Sequence, residues 1–171
     1  MDVNREFTEC AITHTPSLMR SAYLLTGNQH AAEDLVQASL ARTHRHWRRV
    51  RDADSPIAYT KRIMYNQQAS WWRRRRVRER LTGDIADLAE NAGGDGGMAA
   101  ADMRMVLRSA LHRLSPRQRA VVVLRYFEDK SVAETADVLR CSEGTVKTQS
   151  FRALNRLREI LPGFAELTNG A

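Results

Sequence analysis

Residues 93–97 read Gly-Gly-Asp-Gly-Gly, within a stretch running from Asn91 to Gly97. Glycine loses more backbone freedom on ordering than any other residue and brings no side chain to pack. Four glycines in five positions therefore hold neither a helix nor part of a core. The stretch therefore reads as a boundary within the 171-residue chain. Two shorter segments lie on either side, joined by a flexible linker expected over 81–101. The stretch resembles a phosphate loop only in its glycine content, because no strand precedes it and no Lys-Ser/Thr follows.

Both segments read as helical. Strand-like alternation is absent, and the β-branched run Val121-Val122-Val123 sits inside a helical pattern. Helix starts are signalled at Thr15-Pro16, Asn28, Ser55-Pro56, Ser115-Pro116, Ser131 and Ser142. Ser115 with Gln118 and Ser131 with Glu134 have capping-box spacing. The expected helices are 3–14, 16–26, 29–49, 56–79, 102–113, 116–127, 132–139 and 143–161. The fold class that follows is all-α, two small helical domains joined by the Gly-rich linker.

Charge narrows the function. The formal net charge is +7, unevenly placed. Residues 1–41 sum to −3, 42–80 to +10, 81–100 to −4, 101–161 to +5 and the last ten to −1. Two basic blocks separated by an acidic connector suggest two surfaces that meet a polyanion. Apolar residues at 43% are too many for a disordered chain. The longest aliphatic run, Ala120 to Leu124, is far short of the roughly 20 residues that cross a bilayer. The charged N-terminus lacks the apolar core of a signal peptide. Cys10 and Cys141 have no Cys or His at metal-ligand spacing, which argues against a disulfide scaffold or zinc site and fits a reducing cytoplasm. His44 and His46 point about 200° apart on a helix and read as surface residues. No cofactor, metal or membrane insertion is expected.

Three faces carry the functional content. In 29–49, Ala32, Leu35, Val36, Ser39, Leu40, Thr43 and Trp47 form the core stripe, while Glu33, Asp34 and Gln37 lie opposite. That acidic face is either solvated or a docking surface. In 56–79, Ile57, Thr60, Met64 and Trp71 share the core face. Tyr59, Arg62, Asn66 and Arg73 share the other, leading into Arg73-Arg74-Arg75-Arg76. An aromatic ring, an amide and guanidinium groups are what stack unpaired bases, read base edges and hold phosphates. Finally, Ser131–Leu139, a three-residue turn Arg140–Ser142 and Glu143–Leu161 have helix-turn-helix spacing. Val146, Ser150, Ala153, Leu157 and Ile160 face inward. Thr145, Thr148, Gln149, Arg152, Asn155 and Arg156 face outward with Lys147 at the flank, a set suited to a major groove.

Four motifs then stand in register: Ala32-Glu33-Asp34-Leu35-Val36-Gln37, Arg62-Ile63-x-x-Asn66, Leu114-Ser115-Pro116-Arg117-Gln118-Arg119 and Ser142-Glu143-Gly144-Thr145-Val146-Lys147. Together, over about residues 5–160, the chain resembles an extracytoplasmic-function sigma factor of bacterial RNA polymerase. The resemblance implies that 1–80 is region 2, docking on the β′ clamp and melting and reading the minus-ten element. It implies that 81–101 is a linker, 102–161 is region 4, sitting on the β flap and reading the minus-thirty-five element, and 162–171 is a tail. Asp34, Leu35 and Gln37 would bind core polymerase. Val50, Arg51, Tyr59, Arg62 and Asn66, extended by Arg73, Arg74, Arg75 and Arg76, would bind the minus-ten DNA. Thr145, Lys147, Thr148, Gln149, Arg152 and Arg156 would bind the minus-thirty-five DNA. The partners implied are core RNA polymerase and promoter DNA, with an anti-sigma factor as a further candidate, and the place of action is cytoplasmic. One departure is Arg140, where such proteins usually have glycine; a positive φ there would cost roughly 1 kcal/mol. An activator with a similar helix-turn-helix would need a receiver or ligand domain in place of the basic helical segment 1–80. An enzyme would need paired carboxylates, a metal cluster or a nucleophile with its base, and none stands out.

Overall fold

The computed structural model describes residues 2–53, 55–82, 98–161 and 163, apart from the side chains of residues 72, 75, 76, 79, 80, 82 and 98–101. Of the linker expected over 81–101, residues 83–97 lie outside the described residues while 81–82 and 98–101 are helical, and of the expected tail only Gly163 is described. The regular structure among the described residues is all helical, in two units, Met1–Asn91 and Ala92–Ala171.

In the first unit, α1 runs Val3–Thr26 as one helix. The break expected at Thr15-Pro16 is absent, and Pro16 sits inside the helix. An interior proline removes one backbone bond, typically at about 3 kcal/mol. The helix persists because Leu18, Ser21, Ala22 and Leu25 bury beyond it. Hydroxyls of Thr13, Thr15 and Ser17 also donate to the carbonyls of Glu9, Ala11 and His14 around the gap. Gly27 ends α1 in the left-handed region at φ 67°, its N–H reaching the Tyr23 carbonyl. Asn28 then caps α2, Gln29–Arg45, by accepting from the Ala31 N–H at 3.1 Å.

The helix expected over 29–49 is broken at His46, and α3 is a separate turn, Trp47–Val50. Neither glycine nor proline marks that break. Packing sets it, with the Trp47 indole edge-on to Phe7 of α1 at 5.3 Å between ring centroids. Ser55 caps α4, Pro56–Thr82, by accepting from the Ala58 N–H. Because α4 packs on both α1 and α2, its buried arc is wider than one stripe: Tyr65 and Gln67 join Thr60 and Met64 in the core. Ile57 and Trp71 are only half-buried. A buried hydroxyl pair, Thr43 with Thr60 at 3.0 Å, ties α2 to α4.

In the second unit, α5 runs Met98–His112, starting four residues before the expected 102 because Ala99, Ala100 and Ala101 are strong helix formers. Ser115 and Gln118 form the expected capping box of α6, Pro116–Val122. The chain then winds into a π-helical turn, Val123–Phe127. Ser131 and Glu134 form a second capping box on α7, Val132–Leu139, and Ser142 caps α8, Glu143–Ile160. Val121, Ala136 and Val146 meet in a core cluster that joins α6, α7 and α8. Arg140 sits at φ 52°, closing α7 in the left-handed region, and the Cys141 N–H returns to the Ala136 carbonyl at 3.0 Å. No helix among the described residues is long and apolar enough to cross a membrane.

Candidate nucleic-acid interface

On α2 the acidic face is solvent-facing. Asp34 and Gln37 are exposed, and Glu33 accepts from the Gln29 amide at 2.9 Å. Leu35 is fully buried, so it supports that face from beneath instead of touching a partner. Val50 is likewise buried, at 5% exposure, and anchors α3 in the core. Neither residue offers a surface in this fold.

The polar face of α4 presents half-buried Tyr59, Arg62 and Asn66 on successive turns, then exposed Arg73 and Arg74. The Asn66 amide nitrogen donates to the Arg62 carbonyl at 2.7 Å, which commits one of its two donors and orients the group. Arg74 donates to the Ser70 hydroxyl at 3.1 Å. Arg75 and Arg76 belong to α4 by their backbone, but their side chains lie outside the described residues. Arg51 is exposed and already paired, 3.3 Å from a Glu6 oxygen and 3.4 Å from an Asp52 oxygen. Such solvent-exposed pairs are worth at most about 1 kcal/mol, so Arg51 exchanges partners cheaply.

On α8, Lys147, Thr148, Arg152 and Arg156 are exposed and Thr145 and Gln149 half-buried. Ser142 Oγ accepts from the Thr145 N–H at 3.1 Å, and the two hydroxyls lie 2.9 Å apart. Thr148 donates back to the Gly144 carbonyl at 2.9 Å. Arg156 pairs with Glu159 at 2.9 Å, whereas among the described residues Lys147 and Arg152 have no ion-pair partner.

Sequence reasoning passed over Phe151. It is 66% exposed on α8 between Thr148 and Arg152, among the outward-facing polar residues. Its signal was available: an aromatic ring displaced from the inward stripe of Val146, Ala153 and Leu157 has no core to enter. An exposed phenyl is a group that can make apolar contact with a thymine methyl. Arg119, by contrast, is 3% exposed and is a structural residue. It donates to the carbonyls of Leu111, His112 and Leu114 at 2.8, 3.2 and 3.3 Å, closing the end of α5. Burial lowers its pKa to about 10, so it stays charged at neutral pH. Burial first, then the charges of Arg119 and Arg108, lowers the neighbouring His112 to about 4 and keeps it neutral. Among the described residues no group of His, Cys, Asp or Glu could hold a metal ion. Burial pushes the Cys10 thiol up, away from reactivity.

Comparison with known proteins covers both units. Residues 12–78 match the family described as Sigma-70 region 2, and residues 104–157 match Sigma-70, region 4. An RNA polymerase sigma-E factor of Streptomyces coelicolor is 42% identical over 156 residues, covering 91% of this chain and 86% of its own. The ECF RNA polymerase sigma factor SigL of Mycobacterium tuberculosis is 33% identical over 150 residues, covering 86% of this chain and 84% of its own. Among solved structures, a chain of the complex of sigma factor RpoE with anti-sigma factor NepR from Bartonella quintana is similar at a TM-score of 0.71. It is 26% identical and the match covers 91% of this chain and 96% of that one.

Proposed function

Since the chain belongs to the sigma-70 family, as an extracytoplasmic-function sigma factor that binds core RNA polymerase and directs promoter-specific initiation without chemistry of its own, we propose a division of that work between its units. In this reading residues 1–80 act as region 2, 81–101 as a linker, 102–161 as region 4 and 162–171 as a tail. The reading is supported by the matched ranges 12–78 and 104–157 and by the two separate helical units.

Asp34 and Gln37 on α2 form the surface that meets the polymerase clamp, with Leu35 and Val50 holding α2 and α3 in position. Tyr59, Arg62 and Asn66, flanked by Arg51, take an unpaired base of the minus-ten element, and Arg73 to Arg76 meet phosphates. On α8, Arg152 and Phe151 read the minus-thirty-five base pairs, with Thr145, Lys147, Thr148, Gln149 and Arg156 around them. An anti-sigma factor is a further partner, supported by the complex in which the similar RpoE chain is found. The work is placed in the cytoplasm, where core polymerase operates.

One observation carries this reading: each unit presents a face of amide, aromatic and guanidinium groups that its core does not need. Asn66→Ala should leave holoenzyme assembly unchanged and weaken open-complex formation by about 1–3 kcal/mol, the worth of a bidentate base contact. Arg152→Ala should relax discrimination at one or two minus-thirty-five base pairs. Open complexes formed at the normal rate by Asn66→Ala on duplex promoter would refute the region 2 assignment.

A further inference from the structure

The apolar stripe of α5 is longer than the part of it that packs. Met103, Val106, Leu107 and Ala110 recur at the spacing of a single helix face. Ala110 is buried and Leu107 half-buried, whereas Met103 and Val106 are 63% and 47% exposed. α5 packs on α8, and because residues 102–106 are all exposed, that contact falls to its later turns. Charge edges the bare half, with Arg104 along one side of the stripe and Asp102 along the other. Arg104 is exposed and among the described residues has no ion-pair or hydrogen-bond partner.

The chain that follows α8 has the matching chemistry. Burial on α8 continues to Leu157, about one turn before the helix ends at Ile160. Leu161-Pro162-Gly163-Phe164 then places proline and glycine at the central positions of a type II turn. Gly163 stands at φ 88°, the sign which that turn requires, and no atom within 4 Å would crowd a Cβ there. Backbone conformation, not close packing, is what calls for glycine, and the chain turns back after α8. Phe164 and Leu167 come next, three residues apart, with Glu166 the single charged side chain of residues 162–171. Residues 164–171 themselves lie outside the described ones. Their reach is sufficient: Met103 is about 12 Å along the helix from Leu111, and the stretch Pro162–Leu167 extends up to about 20 Å.

We propose that Phe164 and Leu167 lie on the Met103–Val106 stripe of α5, with Glu166 against Arg104, so that the chain covers its own exposed face. Apolar burial supplies the contact, and the charges set its direction, since the reverse direction brings Glu166 to Asp102. A second copy or a separate protein would compete with a segment tethered a few residues away, whose effective concentration is about millimolar.

The test is hydrogen exchange of the full chain, compared with the chain stopped after Gly163 and with Phe164→Ala, Leu167→Ala. Amides of 102–108 should exchange about tenfold faster in both, the effect of losing roughly half the burial of two large apolar side chains. Amides of 143–157 should not change, which separates an uncovered α5 from an unfolded unit. In a chain also carrying Cys10→Ala and Cys141→Ala, a short bismaleimide should cross-link Met103→Cys with Thr168→Cys inside one chain. Met105→Cys, on the opposite face of α5, should give far less of that product with Thr168→Cys. Exchange at 102–108 that is the same with and without residues 164–171 overturns the proposal, as do equal cross-linking yields from 103 and 105. Protection that fades on dilution gives the face to a second copy, and protection that arises only with core polymerase gives it to that partner. Either result also overturns the proposal.

Discussion

Replacing Arg119 with Met tests whether a conspicuous basic residue beside the helix-turn-helix serves DNA or the fold. Its side chain is 3% exposed and reaches three carbonyls at the end of α5. The Leu111 carbonyl keeps a second donor, the Leu114 N–H at 3.1 Å, so its loss counts little. The carbonyls of His112 and Leu114 would be left without this donor, at about 1–3 kcal/mol each. Methionine no longer buries a cation, which returns part of that cost. The net loss is about 2–4 kcal/mol, a large fraction of the 5–15 kcal/mol that typically separates folded from unfolded. For a unit of this size, that lowers the melting temperature by about 10–25 °C. Thermal melting of the full chain by circular dichroism should show the second unit alone destabilised. Arg117→Met, at an exposed position, should stay within about 0.5 kcal/mol of wild type. If Arg119→Met melts like the wild type yet loses minus-thirty-five affinity, Arg119 contacts DNA and the packing argument is wrong.

Arg140→Gly should stabilise the second unit by up to about 1 kcal/mol, because the left-handed backbone at φ 52° strains any residue with a Cβ; an unchanged or lower melting temperature would contradict this. His112 takes a proton near 6.5 when unfolded and near 4 when folded, so the second unit should lose stability as pH falls from 6.5 towards 4, and none above 6.5. His112→Gln should flatten that dependence in urea melts run at each pH. Asp34→Ala with Gln37→Ala should weaken binding to core polymerase with no change in helicity, since both side chains are exposed; normal affinity in a pull-down would misplace the docking face.

Caps and stripes made most of this fold legible. Asn28, Ser55, Ser115, Ser131 and Ser142 all stand where their side chains can bond only the first turn of a helix, and each does so. Thr15-Pro16 carried the same signal and failed. A proline fixes φ at a helical value, and the burial of Leu18 to Leu25 outweighed the single bond it removes. The turn at His46 was invisible because packing of Trp47 on Phe7 determines it, and no local residue preference does. Periodicity placed Leu35 on the core stripe, and full burial agrees, although the family motif had marked it for contact. Arg119 is the opposite case: a charged residue reads as surface until the carbonyls it serves are in place.

Recognition of two promoter elements by two separate units of one chain is put to the test by run-off transcription with purified chain and core polymerase, on a promoter carrying both elements and on versions with each element scrambled. Transcription should require the chain and should fall when either element is scrambled. Asn66→Ala should lower transcription from the intact promoter by impairing opening at the minus-ten element, and Arg152→Ala should blunt the penalty of changing one or two minus-thirty-five base pairs. Transcription indifferent to both scrambled elements, or Asn66→Ala and Arg152→Ala with exchanged effects, would contradict the account.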